Sequence, residues 1–573
     1  MTLRPKRARL RLSAPAAAFA VVIAGAAAAD DPPPQPIPID QRPACTAPDV
    51  VTGAGTVCGL SLEARAADGS GERTVNAYLG IPFAESTVGE NRWASPVAVA
   101  AYDGVLRATA FGPICPQTEP SPKKSPQSED CLSVNVWAPA DASGPLPVMA
   151  FIYGGSFIDG SSSLPIYDGA ALAASGRAIV VSFNYRVGAL GFLAGVAGLS
   201  GNYGFLDQQL ALRWVADNIA GFGGDPARVT LFGQSAGAMS VGLHLFAPGS
   251  QGLFRAAIME SNPYGMPYRR LAAAGDLTES LRLELGCVFD TLACLHRQSA
   301  AAIVAAQSSA ALGINQIVAG FGGQLAWAPV VDGTVIAGQP LDTPIALPVL
   351  IGTNRNEGTL FAAGQQVSLF GTTEVLRLQY DALIELYFPA TARAAIRNLP
   401  RYQPRSGDNT EALSNLLTDY LFTCPNRLAM RRAAAPVYGY AFTHVPSYDV
   451  WPEIAACAPS EDQVCHSFEL PFVFGNPTTV TRQLTPPDDR FTAAEQRLSE
   501  TMADAWLRFA ETLDPNAEGS SDWPVYSAGG AVRVLDTTAA PDFAADAHCD
   551  VWDSVGYTLP GVLARVTGVS RGE

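Results

Sequence analysis

Positive charge is scarce in this sequence. Of its 573 residues, 37 are lysine or arginine and 53 are aspartate or glutamate, so the formal net charge at pH 7 is −16. A chain this acidic repels polyanions, which argues against a nucleic acid as its partner. Charged residues make up 16% and apolar residues 48% of the chain. Apolar content this high excludes an intrinsically disordered protein and predicts a large core.

Motifs for binding metal ions are also lacking. The sequence has five histidines and ten cysteines, but no Cys-x-x-Cys pair and no cysteine and histidine cluster at metal-ligand spacing. Structural zinc sites need such spacings, so we expect no metal site.

After the N-terminus, no apolar run is long enough to read as a membrane span. The most apolar later stretch, residues 300–320, is interrupted by polar side chains: Gln307, Ser308, Ser309, Asn315 and Gln316. Because a spanning helix needs about 20 predominantly apolar residues, this stretch predicts a core helix or a helix lining a pocket.

The N-terminus has the pattern of a secretory signal peptide. An apolar run over residues 12–26 precedes Ala27-Ala28-Ala29, which fits a small-residue cleavage site before Asp30. Five basic residues lie ahead of the apolar run: Arg4, Lys6, Arg7, Arg9 and Arg11. We therefore expect residues 1–29 to be removed and the protein to be secreted or periplasmic, where disulfides are permitted. We expect residues 30–49 to form a proline-rich N-terminal stub ahead of the folded domain.

From residue 50 to residue 573 the pattern predicts one domain of the α/β class. Apolar, β-like runs alternate with helical periodicity, which favours a mostly parallel central sheet flanked by helices. Two helix-rich stretches, residues 265–325 and 360–435, predict insertions that form the pocket walls. The strands are expected at residues 147–153, 178–185, 228–232, 256–259 and 348–351, and helices at 208–218 and 498–513.

One segment indicates a nucleophile. A β-branched run ends in Gly233-Gln234-Ser235-Ala236-Gly237, after which small residues begin a helix. A serine on a sharp strand-to-helix turn needs neighbouring glycines, because the backbone is strained and other elements come close. This Gly-x-Ser-x-Gly setting predicts that Ser235 is the nucleophile of an acyl-transfer reaction.

A serine hydroxyl needs a base and an acid that orients the base. When the chain order is Ser, acid, His, the histidines after the acid remain as candidates, namely His444, His466 and His548. His244 follows the serine closely and is expected in the core, and His296 precedes any plausible acid. For the acid, Glu357 follows a predicted strand, whereas its rival Asp332 has the pattern of a turn aspartate. The residues alone leave the choice of base open.

A second feature of the site precedes the serine. Tyr153-Gly154-Gly155-Ser156 follows a predicted strand, and a glycine-rich turn there can aim backbone N–H groups at a developing oxyanion.

Together these segments resemble the type-B carboxylesterase and lipase family of α/β-hydrolases. The similarity extends from about Val50 to Tyr557. Further matching motifs are residues 80–84, 128–137, 184–188 and 223–226, and the run 466–475, which reads His-Ser-Phe-Glu-Leu-Pro-Phe-Val-Phe-Gly.

The resemblance implies Ser235 as nucleophile, Glu357 as acid and His466 as base. It implies an oxyanion hole formed by the N–H groups of Gly155, Ser156 and Ala236. The family usually has a third glycine where this chain has Ser156, which keeps the N–H and adds a hydroxymethyl group near the substrate carbonyl.

The ten cysteines can then be paired. The resemblance pairs Cys115 with Cys131, Cys287 with Cys294, and Cys424 with Cys549. Local spacing pairs Cys457 with Cys465, which leaves Cys45 for Cys58. The resemblance also suggests two buried ion pairs, Arg92 with Glu129 and Arg186 with Asp207.

The function implied is that of a secreted serine carboxylesterase that hydrolyses small-molecule carboxylic esters through an acyl-enzyme and requires no cofactor. A lipase acting on longer acyl chains is the nearest alternative, and a non-catalytic adhesion module on the same fold is another. Residues 116–130, the loop that holds a choline-stacking tryptophan in cholinesterases, contain no aromatic residue. A choline site is therefore not expected.

Overall fold

The structure is a computed structural model that describes residues 37–118, 125–196, 198–289, 291–311, 325–365, 374–388, 390–480, 491–526, 530–538 and 548–557. The predicted signal peptide, residues 1–29, lies outside the described residues. No helix within the described ranges is both long and apolar enough to cross a membrane.

The strands are, in chain order, β1 Val50–Val51, β2 Thr56–Cys58, β3 Leu60–Arg65, β4 Glu72–Pro82, β5 Val105–Arg107, β6 Ser133–Pro139, β7 Leu146–Ile152, β8 Ile179–Phe183, β9 Gly224–Gln234, β10 Ala256–Glu260, β11 Arg269–Arg270, β12 Val330–Val331, β13 Val349–Asn354, β14 Val437–Phe442 and β15 Arg533–Leu535.

The α-helices are α1 Ala170–Ala173, α2 Gly188–Phe192, α3 Tyr203–Asn218, α4 Ala236–His244, α5 Leu271–Glu284, α6 Thr291–Arg297, α7 Ala300–Ala311, α8 Gly358–Gln365, α9 Arg377–Tyr387, α10 Ala390–Asn398, α11 Thr410–Leu417, α12 Cys424–Arg431, α13 Leu470–Phe474, α14 Ala493–Thr512 and α15 Cys549–Val555. A π-helical turn, Thr418–Thr423, joins α11 to α12.

Ten of these strands form one sheet in the order β15-β14-β13-β10-β9-β7-β8-β6-β4-β3. The seven strands from β15 to β8 are parallel, and β6, β4 and β3 extend the sheet antiparallel. Helices α1, α3, α4 and α14 pack against its strands. The mostly parallel sheet flanked by helices that the sequence predicts is confirmed.

The central strands are buried on both faces. Every residue of β8, β10, β13 and β14 is buried, as is typical of parallel strands covered by helices on each side. The five predicted strands match β7, β8, β9, β10 and β13, and no prediction extends past either end of its strand by more than two residues. Continuous apolar runs therefore located the centre of the sheet.

Helix α14 shows how local sequence sets a boundary. It begins five residues before the predicted helix, because Thr492 and Glu495 form a capping box: Thr492 Oγ1 accepts from the Glu495 N–H, and Glu495 accepts from the Thr492 N–H. Its buried face carries Met502, Trp506 and Phe509, at the spacing that predicts a helix.

The predicted stub is partly attached to the domain. Arg42 Nη1 donates to the Arg107 carbonyl at 3.1 Å, and the Thr46 N–H donates to the Gly59 carbonyl at 2.9 Å. Cys45 is joined to Cys58. Residues 42–46 of the stub therefore lie against the strands that follow.

Five disulfides join the ten cysteines: Cys45–Cys58, Cys115–Cys131, Cys287–Cys294, Cys424–Cys549 and Cys457–Cys465. These are the pairs expected above. Both suggested ion pairs are also present, with 2.6 Å between Arg92 Nε and Glu129 and 2.7 Å between Arg186 Nη2 and Asp207. The second pair is buried, whereas Glu129 of the first is only partly buried. Each arginine binds its carboxylate with two nitrogens, which fixes the side chains in one geometry.

Candidate active site

Ser235 occupies the sharp turn between β9 and α4. Its backbone has φ 57° and ψ −125°, a region that non-glycine residues rarely adopt. Its N–H donates to the Glu260 carbonyl at 3.0 Å, and its carbonyl accepts from the Met239 N–H at 2.8 Å. These two bonds hold the strained turn, and the partly exposed side chain stands at the carboxyl edge of the sheet, where α4 begins.

The glycines of the motif are needed for close packing. A Cβ at Gly237 would lie 1.9 Å from the Ile152 carbonyl oxygen, and one at Gly233 would lie 2.7 Å from the Gly237 carbonyl carbon. A Cβ at Gly154 would lie 2.9 Å from the Cβ of Ser235. The end of β7 and the start of α4 therefore approach each other as closely as their backbones allow.

His466 and Glu357 form a buried pair beside this turn. His466 Nδ1 lies 2.5 Å from Glu357 Oε2, and the other carboxylate oxygen accepts from the Asn354 N–H at 2.7 Å. Glu357 is fully buried and His466 is 4% exposed. Asn354 ends β13, so the carboxylate is fixed by the end of a central strand and in turn orients the imidazole.

Asp332, the rival acid, is engaged elsewhere. Its Oδ1 accepts from the N–H groups of Thr334, Val335 and Ile336, each at 2.9 Å. These bonds close a turn, as its sequence pattern predicts.

The remaining histidines have structural contacts. His244 is buried between Ser250, 2.7 Å from Nδ1, and Gln208, 3.1 Å from Nε2. Burial lowers its pKa to about 3. His296 contacts the Gly89 carbonyl. His548 lies 3.1 Å from Asp419. His444 lies between two carboxylates, Glu495 and Asp536.

The turn after β7 presents backbone N–H groups beside the serine. Gly155 has φ 109° and Ser156 has φ 54°. Within the described part of the chain, the N–H groups of Gly155, Ser156 and Ala236 make no hydrogen bond. Donors without partners beside an exposed serine are suited to a developing negative charge.

Two rings of the second insertion lie against the imidazole. Phe361 from α8 and Phe422 from the π-helical turn have ring centroids 5.2 Å and 5.4 Å from that of His466. Three other aromatic side chains, Tyr153, Phe157 and Trp327, are almost fully buried. The rings beside His466 therefore come from the helical insertion.

The sequence analysis missed two buried glutamates beneath the pair. Glu469, three residues after His466, accepts from Ser261 Oγ at 2.8 Å and from Asn354 Nδ2 at 2.5 Å. Burial raises its pKa, and the charge of Glu357 raises it further. Glu260 accepts from Trp506 Nε1 at 2.6 Å, and burial raises its pKa well above the ordinary value. Charged residues are seldom fully buried, so composition gives no signal for them.

Gln234 was also missed, although it lies inside the serine motif. Its Nε2 is 3.2 Å from Nε2 of His466, and its side chain is 2% exposed. The imidazole is thus contacted on both nitrogens, by Glu357 and by Gln234.

A disulfide holds the segment that carries His466. Cys465, which is bonded to Cys457, directly precedes His466, and Trp451 Nε1 donates to the His466 carbonyl at 2.7 Å. These contacts fix the backbone from which the imidazole projects.

One group in the described ranges, Cys424, His548 and Cys549, brings metal-ligating residue types together. Because the two cysteines form a disulfide, they offer no thiolate to a metal.

Comparison with known proteins identifies the family. A family model described as the carboxylesterase family matches residues 46–552. The chain is 37% identical over 476 residues to a para-nitrobenzyl esterase of Bacillus subtilis (strain 168), covering 80% of this chain and 90% of that protein. It is 34% identical over 571 residues to an acetylcholinesterase of Bungarus fasciatus, covering 91% and 88%.

A solved structure of a PNB esterase superposes on this one with a TM-score of 0.72 at 34% identity, covering 88% of this chain and all of that one. The chain therefore belongs to the carboxylesterase family, has the α/β-hydrolase fold and is a carboxylic ester hydrolase.

Proposed function

We propose that the protein is an exported carboxylesterase in which Ser235 is the nucleophile, His466 the base and Glu357 the acid. The observation that carries this proposal is the pairing of two features at one sheet edge. A serine in a strained strand-to-helix turn lies one residue from Gln234, whose side chain contacts the imidazole that Glu357 orients.

In the first step, the Ser235 oxygen attacks the carbonyl carbon of a bound ester while its proton passes to Nε2 of His466. The proton on Nδ1 stays in its hydrogen bond to Glu357, whose negative charge stabilises the imidazolium that forms. Because Glu357 also accepts from the Asn354 N–H, its position is set before the reaction begins.

The tetrahedral intermediate carries a negative oxygen. We assign its stabilisation to the N–H groups of Gly155, Ser156 and Ala236, which lie on the turn after β7 and at the start of α4. Such donors are aimed in advance, so the charge is stabilised without reorganisation. The positive end of the α4 dipole acts in the same direction.

The intermediate collapses when His466 returns its proton to the leaving alcohol, which leaves an acyl-enzyme on Ser235. Water then attacks the acyl carbon and His466 takes the proton of that water. The bond between the acyl carbon and the Ser235 oxygen breaks, His466 returns the proton to that oxygen, and the carboxylic acid is released. Each proton taken up by the imidazole is given back, so no cofactor enters the scheme.

Export is part of the proposal. A signal peptide over residues 1–29 would take the chain to a compartment where five disulfides are stable. The catalytic domain then begins near residue 50, after the stub of residues 30–49. Peptide mass mapping of the unreduced, exported protein should give an N-terminus near Asp30 and no free thiol, whereas an intact Met1 would refute cleavage.

The test of the mechanism is pre-steady-state hydrolysis of a chromogenic ester. We expect a burst of alcohol equal to the enzyme concentration, followed by slower turnover. Ser235→Ala should abolish the burst and lower kcat by roughly 10⁴–10⁶. Ser240→Ala, on the same helix, is the matched control and should keep its burst. If Ser235→Ala retains activity within tenfold, or the wild-type protein turns over no ester, the proposal is wrong.

A further inference from the structure

The amide of Gln234 lies at the nitrogen of His466 that the proposed reaction uses. Gln234 Nε2 is 3.2 Å from His466 Nε2. The other end of the amide packs on the turn after β7, since a Cβ at Gly154 would lie 3.1 Å from Gln234 Oε1. Gln234 therefore bridges the oxyanion turn and the base.

The direction of this hydrogen bond follows from the opposite side of the ring. Nδ1 lies 2.5 Å from a carboxylate oxygen, which accepts only, so Nδ1 carries the proton. In a neutral imidazole the other nitrogen is then an acceptor. The Gln234 N–H consequently donates to Nε2.

Ser235 needs the same lone pair. Its proton passes to Nε2 during attack, but in the described residues its hydroxyl makes no hydrogen bond to the ring. Nε2 has one lone pair, in the plane of the ring, and cannot accept two strong hydrogen bonds at once. In the resting enzyme, Gln234 therefore occupies the place that the serine hydroxyl takes in catalysis.

We propose that Gln234 is a positioning residue that holds the imidazole of His466 neutral in the resting enzyme and yields Nε2 to Ser235 when an ester binds. This inference rests on the proposed function. An N–H donor favours the neutral ring, because the same donor would point at a proton in the imidazolium.

Carboxyl groups lie near the imidazole, and Gln234 opposes their effect on its charge. Glu357 contacts Nδ1, Glu469 lies on the same segment as His466, and Glu260 follows at the end of β10. Tyr440 of β14 faces the same three carboxyl groups, and its pKa is raised well above the ordinary value by burial and then by Glu260. The negative charge of Glu357 favours the imidazolium, whereas the N–H of Gln234 opposes it.

Two variants separate the charge from the hydrogen bond. Gln234→Glu keeps the size and places a carboxylate at Nε2, where an opposite charge at this distance favours the imidazolium. We expect the acidic limb of the kcat/KM profile to move to higher pH by at least one unit. At pH 6, kcat/KM should then be about tenfold or more below wild type, and at pH 9 it should lie within about threefold of wild type. Gln234→Met removes the donor without adding charge and should move the limb by less, in the same direction.

The matched control is Gln251→Glu, which makes the same charge change at an exposed position and should leave the profile unchanged. Thermal melting of each variant establishes that it is folded. In Gln234→Met, phosphonylation of Ser235 by an uncharged fluorophosphonate at pH 9 should be about two- to tenfold faster, the factor that one neutral hydrogen bond is worth.

A measurement without catalysis keeps this inference separate from the proposed function. The chain has five histidines, so ¹³C-labelled histidine gives five ring signals, and His466→Ala assigns the one of interest. In a Ser235→Ala background, the His466 signal should titrate at higher pH when Gln234 is replaced by Glu. An unshifted titration overturns the inference even if Ser235 proves essential. A shifted titration supports the contact even if the esterase mechanism fails.

Discussion

Three histidines within the described residues lie beside carboxylates, and two of them, His466 and His444, differ in what is left for a substrate. His466 has a carboxylate on Nδ1 only, and its Nε2 faces the neutral amide next to Ser235. His444 has carboxylates on both sides, with Glu495 3.2 Å from Nε2 and Asp536 3.5 Å from Nδ1. Both nitrogens of His444 are thus already occupied by acceptors.

The His444 cluster joins three elements of the fold. His444 follows β14, Asp536 follows β15, and Glu495 lies in the first turn of α14, where it also accepts from Ser447. Burial lowers the pKa of His444, but its hydrogen bonds to Asp536 and Glu495 outweigh burial and raise the pKa. The comparison teaches that contact between histidine and carboxylate does not identify a base. A base is identified instead by a ring nitrogen that a reacting hydroxyl group can reach.

The largest effect expected from this difference is on activity. His466→Ala should lower kcat by roughly 10⁴–10⁶, because no other group accepts the Ser235 proton. His444→Ala should remain within a few-fold of wild type. Steady-state hydrolysis of one chromogenic ester by both variants decides the matter, and an inactive His444→Ala that remains folded would reverse the assignment of the base.

The partner carboxylates should differ in the same way. Glu357→Gln should lower kcat by roughly 10³–10⁴, because an amide no longer fixes the tautomer with the proton on Nδ1. Glu495→Gln should leave kcat near normal and instead lower the melting temperature, since Glu495 caps α14. Similar kcat values for these two folded variants would mean that the two sites are not distinct.

Within the described residues, unpartnered backbone donors lie beside Ser235 at the His466 site. Gly155→Ala places a Cβ 2.2 Å from Asp159 Oδ1 at a residue with φ 109°, so the turn must move. A misplaced oxyanion donor costs roughly 10²–10³ in kcat. Ser156→Gly is the control, because it keeps its N–H, and its kcat should stay within about tenfold. Equal losses in both would show that the Ser156 side chain takes part in the reaction.

The smallest effect concerns the pH dependence of stability at His444. Burial alone would raise the pKa of Glu495 and Asp536, but hydrogen bonds from His444 and its neighbours lower both to about 2. The stability that these two carboxylates add to the folded protein is therefore lost as the pH falls from about 4.5 towards 2. The raised pKa of His444 gives a contribution that is complete below its ordinary value of 6.5 and is lost as the pH rises through the folded value. The cluster therefore stabilises most between about pH 4.5 and 6.5.

His444→Gln should melt about 2 °C below wild type at pH 5.5, with the gap closing towards pH 9. Melting curves at both pH values measure this difference. A gap that widens with pH would mean that the histidine is held neutral.

Features that depend on local sequence could be predicted, whereas contacts that depend on how distant segments pack could not. Continuous apolar runs identified the central strands, and the Gly-x-Ser-x-Gly pattern predicts Ser235 as the nucleophile and places it on the turn that the structure shows. Chain order left His444, His466 and His548 as candidates, because composition cannot tell which distant loop folds onto the sheet edge. Glu357 and His466 are 109 residues apart, and it was resemblance to a family that paired them.

The missed residues share a physical reason. Glu260, Glu469 and Gln234 are polar side chains that are at least 98% buried, and a sequence pattern assigns such residues to the surface. Their partners, among them Trp506, Ser261 and Asn354, come from separate strands and helices. Only the assembled sheet edge brings them together.

The close approach of α4 to β7 has a consequence for how mutations are tolerated. Because any side chain at Gly237 would meet the Ile152 carbonyl at 1.9 Å, this position rejects every substitution under selection for folding alone. Ser235 is under no such steric demand. A descendant of this protein that lost its reaction would therefore keep both glycines of the motif and lose the serine between them. The packing of the backbone requires these two glycines, whereas the proposed reaction requires the serine between them.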